Sequence, residues 1–128
     1  MTVTLLTASD ALAGTVPIDW QIDGLLPVGS MALMFGQPGS KKTYSALDLA
    51  VCTALGTDWC GFHVKPGAVL VIDEESGPRR LLRRMGEVLR GHMADAGTPL
   101  FATSLESFNF WAHSGKNGAA ELESQIRT

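Results

Sequence analysis

Apolar positions along this chain follow two periods. Met31–Phe35 is an unbroken apolar run of strand length and predicts a buried strand. From Lys42 to Leu55 the period changes: Ala46, Leu47, Ala50, Val51 and Ala54 recur at helical spacing, Asp48 falls on the opposite, solvated face, and Gly56 supplies a C-terminal cap. Ala68–Ile72 is a second continuous apolar run, the pattern of a parallel strand covered on both faces. Ser76-Gly77-Pro78 then opens a helix with Leu81, Leu82, Met85, Val88 and Leu89 as its stripe. Leu100–Thr103 reads as a third strand, Phe108, Phe110 and Trp111 as strand or packed loop, Ser114–Gly118 as a loop, and Ala119–Arg127 as a helix. Strand, helix and strand in this order imply a right-handed crossover, hence an α/β fold with a mostly parallel sheet flanked by helices.

Residues 1–30 form a lead-in. Ser9 is placed to cap a short helical turn, and Val16–Gly29, broken by Pro17, Gly24, Pro27 and Gly29, reads as an irregular segment packing Trp20, Ile22, Leu25 and Leu26 on the edge of the core. Thr57–Gly67 is a loop anchored by Trp59, Phe62 and Val64, with room for a short edge strand. The 128 residues suffice for one domain, and 45% apolar with 18% charged residues is the balance of an ordered globular chain. A net charge of −3 argues against a nucleic-acid footprint over the whole domain; Arg79, Arg80, Arg83, Arg84 and Arg90 read first as a solvated helix face, with a contact to nucleic acid or to a neighbouring subunit as the alternative. Cys52 and Cys60 lack zinc-type spacing, which fits a reduced, cytoplasmic protein; no apolar run reaches membrane-spanning length. His63, His92 and His113 stand apart from one another and read as packing or surface residues rather than metal ligands.

Chemistry concentrates after the first strand. Gly36-Gln37-Pro38-Gly39-Ser40-Lys41-Lys42-Thr43 approximates G-x-x-x-x-G-K-[ST], with Lys41 in place of the second glycine. Such a turn points successive backbone N–H groups at an anion, and the following helix adds its positive end. Main-chain amides between Phe35 and Tyr44 are expected to grip a triphosphate, with Lys42 reaching the β- and γ-phosphates and the Thr43 hydroxyl ligating Mg²⁺. Ligands of α/β sheets sit at the carboxyl ends of strands, so Asp73-Glu74-Glu75, closing the second run, should share an edge with this loop. Two readings of the acids stand side by side. In one, Asp73 sits on the Mg²⁺ shell and Glu74 polarises water; in the other, this strand supplies only the catalytic glutamate and the Mg²⁺-side aspartate comes from a later strand.

Four stretches together resemble RecA-like P-loop ATPases, nearest the RepA-type hexameric helicases and related phage and plasmid AAA-family ATPases: Asp23–Gly29, Gly36–Thr43, Ala46–Ala50, and Trp59–Glu75 followed by Leu82–Met85. The resemblance covers about residues 16–90. It implies that Lys42 and Thr43 are the Walker A lysine and hydroxyl and that Glu75 is the catalytic glutamate, with Asp73 left a Mg²⁺-shell or structural role. It further implies ATP and Mg²⁺ as cofactors, a hexameric homo-oligomer, DNA contacts through regions outside this sequence, and a role in a replicative or plasmid helicase-type motor. Residues 31–128 are then expected to be the N-terminal part of a RecA-like domain whose core is incomplete, with weak or absent turnover by itself. The alternatives are a regulatory or assembly module that binds nucleotide without hydrolysing it, and a small P-loop kinase.

Overall fold

The computed structural model describes residues 2–14, 16–105 and 123–125. The expected features at Phe108, Phe110, Trp111, His113 and Ser114–Gly118 lie outside them, as does most of the expected final helix, of which only residues 123–125 are described, as helical.

The chain begins with helix α1 (Ala8–Leu12), which buries no side chain. Its cap is Thr7, not Ser9: the Thr7 hydroxyl accepts from the Asp10 N–H, while the Asp10 carboxylate accepts from the Thr7 N–H at 2.9 Å. That reciprocal box satisfies two end donors at once, which a cap at Ser9 would not do. The segment expected to be irregular forms a small antiparallel hairpin, β1 (Trp20–Ile22) with β2 (Leu26–Pro27). Gly24 in its turn has φ 73°, a conformation open to glycine at little cost.

Helix α2 spans Lys42–Leu55 and ends on Gly56 at φ 73°, as the sequence predicts. In the loop that follows, Trp59 and Phe62 exchange both backbone hydrogen bonds across Cys60 and Gly61, both at positive φ. Val64 then bridges Ile22 and packs with it against Cys52, forming one cluster of the core. Strand β3 (Val69–Asp73) lies parallel to β4 (Leu100–Ser104), in register from Val69↔Leu100 to Asp73↔Ser104. Between them helix α3 (Pro78–Gly91) starts from Gly77 with Pro78 in its first turn. Leu47, Leu81 and Met85 form the second core cluster, packed by Val71, Val88 and Leu100. Leu82 departs from the expected stripe: it is exposed, because the buried face is set by Leu81 and Met85, one turn apart.

The main correction concerns Met31–Phe35, which forms no strand. Met31, Leu33 and Phe35 are 96%, 84% and 85% exposed, and among the described residues β3 pairs with β4 alone. An apolar run specifies burial, but a strand also needs a ladder partner, and here only Met34 comes near the end of β3, lining one hollow with Val71, Ile72 and Asp73. Ala46, expected to face the sheet, does line a hollow with Val69, Leu70 and Val71, and it is exposed. Among the described residues no helix is long and apolar enough to cross a membrane.

Candidate functional site

The loop before α2 is built by Gln37-Pro38-Gly39-Ser40. The Ser40 N–H donates to the Gln37 carbonyl at 3.1 Å and Gly39 sits at φ 82°. Proline followed by a glycine at positive φ is the pattern of a type II turn. At Gly36 the Ser40 side chain lies so close that a Cβ would meet its hydroxyl oxygen at 2.8 Å. A larger residue there would require the Ser40 side chain to move.

Lys41 takes the N-cap of α2 at φ 60°, ψ 30° with no side-chain cap hydrogen bond. The position expected to hold glycine therefore keeps the left-handed backbone that glycine favours, carried here by a lysine. It leaves the first amide donors of α2 without a capping side chain, at the end where the helix dipole is positive. Lys42 folds over the same loop. Its ammonium donates to the carbonyls of Gly36 at 2.7 Å and Gln37 at 3.0 Å, with the Ser40 hydroxyl at 3.5 Å.

Beside the loop is a hollow of about 270 Å³ whose lining includes Lys42, Thr43 and Asp73, with Met34, Leu47 and Leu81. The end of β3 and the start of α2 thus converge on one hollow. Asp73 is held there by a fixed set of donors. The Ser104 hydroxyl donates to it at 2.8 Å, the Ser76 N–H at 3.1 Å and the Glu75 N–H at 3.3 Å. Burial pushes this carboxyl up, but the Ser104 hydroxyl and the Ser76 and Glu75 amides outweigh it and hold it below the ordinary aspartate range.

Glu74 and Glu75 are exposed, and neither lines this hollow. Glu75 meets Asp73 through its main chain, not its carboxylate. Tyr44 turns from the loop toward α3: its hydroxyl donates to Glu87 at 2.7 Å, and the Arg84 guanidinium lies 5.5 Å from its ring centre. Arg84 is accordingly not part of a purely solvated face.

Two departures from the sequence reading lie at the far end of the α2–α3 contact. His92 Nε2 is 2.6 Å from Asp48 Oδ1 and 3.9 Å from Cys52 Sγ, so this histidine is not isolated and Asp48 is half-buried rather than solvated. His63 has an exposed neighbour, Asp58, at 3.4 Å. Sequence reasoning missed Ser104, Glu87 and His92 because each meets its partner across more than 30 positions; the Asp48–Cys52 spacing was the only local signal.

No curated protein and no solved structure shows significant similarity to the chain. A family model described as AAA domain matches residues 2–127, and with the loop, hollow and parallel strand pair in place, the chain belongs to this family of nucleotide-binding ATPase domains.

Proposed function

We propose that this chain binds ATP with Mg²⁺ on Gly36–Thr43. The observation that carries the reading is Lys42: its ammonium is already gathered over the loop by the Gly36 and Gln37 carbonyls, and it shares one hollow with Thr43 and Asp73. The residues fit the ligand. Gly36 keeps the loop tight, the start of α2 offers amide donors to an anion, Lys42 offers a positive charge to the β- and γ-phosphates, and Thr43 offers a hydroxyl to the metal. Mg²⁺ bound there would neutralise phosphate charge. Asp73, fixed by Ser104, Ser76 and Glu75, is oriented to hold water of the metal shell.

In the hydrolytic reading Glu75 activates the attacking water, and the protein works as part of a RecA-like, RepA-type motor on DNA. This finer assignment rests on the sequence resemblance alone. A second reading, nucleotide binding without hydrolysis, is favoured by one observation: the Glu75 carboxylate is exposed and lies outside the hollow that holds Lys42 and Thr43.

Calorimetry with ATP and Mg²⁺, run beside phosphate release, tests both. Binding weakened about 10- to 100-fold in Lys42→Ala supports the site, and no binding by the wild type defeats it. Turnover lost in Glu75→Gln with binding retained supports the hydrolase; binding without turnover in the wild type selects the second reading. Stimulation of turnover by single-stranded DNA is the outcome that the motor assignment requires.

A further inference from the structure

Asp48 and Cys52 lie four residues apart on α2 and so share one face. His92, at the C-terminal cap of α3, reaches that face across the packed helices. The Asp48 carboxylate oxygen, the Cys52 Sγ and a His92 ring nitrogen all lie within 4.8 Å of one another. This is more than a hydrogen-bonded pair beside a thiol, because one oxygen, one nitrogen and one sulfur are gathered within 4.8 Å of one another. Tetrahedral coordination at bond lengths of roughly 2.0–2.3 Å needs donor atoms about 3.3–3.6 Å apart. The sulfur–nitrogen gap of 3.9 Å must close slightly, the oxygen–nitrogen gap of 2.6 Å must open, and the oxygen–sulfur gap, bounded at 4.8 Å, must come into the same range.

We propose that Asp48, Cys52 and His92 form a three-ligand site for a divalent ion of the zinc class. Sulfur and imidazole together select such an ion over Mg²⁺, which prefers an octahedron of oxygens. On binding, the Cys52 thiol releases its proton to solvent and coordinates as thiolate, and His92 coordinates through Nε2 with its remaining proton on Nδ1. Asp48 contributes a carboxylate. One thiolate and one carboxylate balance the two positive charges, so the half-buried complex is neutral. Asp48 and His92 also line an open hollow of about 520 Å³ with Ser40, Lys41 and Tyr44, the side from which water would supply the fourth ligand. The ion would pin the end of α3 to the helix that starts at the phosphate-binding loop. The site uses none of the nucleotide residues and stands or falls separately from that reading.

The test is Co²⁺ added to the reduced full chain, followed by absorption, with Zn²⁺ as competitor. The expected result is a thiolate-to-cobalt charge-transfer band that saturates at one equivalent and is displaced by Zn²⁺. Cys52→Ser abolishes the band, His92→Gln weakens Co²⁺ binding at least tenfold, and Cys60→Ser leaves it unchanged. Zn²⁺ also raises the wild-type Tm in a concentration-dependent way, and less so in His92→Gln. Absence of the band in the wild type overturns the proposal. So does a band that survives Cys52→Ser but is lost in Cys60→Ser, which would place the ion at the exposed Cys60 near Asp58 and His63. If Cys52→Ser fails to fold by circular dichroism, His92→Gln, whose side chain is partly exposed, decides the matter by the same criterion.

Discussion

The Lys42 ammonium stands 2.7 Å from the carbonyl oxygen of Gly36, six residues earlier in the chain. A charged donor thereby closes its own loop. Charge-assisted hydrogen bonds contribute roughly 1.5–3 kcal/mol each. If the same ammonium transfers to phosphate oxygens, Lys42→Ala should weaken ATP binding by about 10- to 100-fold. The far-ultraviolet spectrum should stay unchanged, since Lys42 is not in either core cluster. Isothermal calorimetry checks the affinity, and an unaltered Kd would mean the loop is not the phosphate site.

Lys41 offers a cleaner backbone test. A non-glycine residue in left-handed geometry costs roughly 1–2 kcal/mol, and glycine escapes most of that while losing more chain entropy on folding. Lys41→Gly should therefore stabilise the chain by up to about 1 kcal/mol, whereas Lys41→Ala, which removes the charge but keeps the strain, should be near neutral. Urea unfolding of the three proteins separates backbone from charge. Equal midpoints for glycine and alanine would show that Lys41 carries no strain.

Asp73 ties stability to acid. Its carboxyl lies below the ordinary range because the Ser104 hydroxyl and two amides favour the charged form over the opposing effect of burial. A depressed folded-state pKa contributes stability that is present above the unfolded value of about 3.9 and is lost as pH falls through the folded value. The wild type should therefore lose stability more steeply than Asp73→Asn between about pH 5 and pH 2. Asp10 is lowered as well, by Thr7, and is common to both proteins, so the difference isolates Asp73. Ser104→Ala should move the wild-type curve part of the way toward the variant. Parallel acid curves would remove the Asp73 network from the account.

Much of the frame is legible in sequence, and for one physical reason: its signals are local. Gly56 ends α2 and Gly77-Pro78 starts α3 where they stand in the chain, and the continuous Val69–Ile72 run makes β3. The Thr7 cap was readable too, since Asp10 three residues on completes its box, yet Ser9 competes for the same role. What escaped is long-range. Asp48 and His92 meet across 44 positions, and Ser104 and Asp73 across 31, separations at which no periodicity speaks. The site divides in the same way. Lys42, Thr43 and the turn follow from the motif, whereas the position of the Glu75 carboxylate away from the hollow depends on how Asp73 folds the next turn around itself.

Met31–Phe35 gives the last prediction, because sequence and structure disagree there most plainly. Five apolar residues predict a strand, yet among the described residues no ladder hydrogen bond reaches them and β3 pairs on one edge alone. An unpaired extended segment exchanges its amide hydrogens at low opening free energy, whereas strand amides wait for larger openings. Hydrogen–deuterium exchange of the nucleotide-free chain should therefore label residues 31–35 within the first time points, while Val69–Asp73, paired in parallel with Leu100–Ser104, is labelled more slowly. Adding ATP and Mg²⁺ should slow exchange at residues 36–44 through direct contact. Protection that spreads back to residues 31–35 would mean that gripping the phosphates draws this apolar run onto the other edge of β3, supplying the buried strand that the sequence pattern specifies. Slow exchange at 31–35 before any nucleotide is added would show the run already paired and would overturn the prediction.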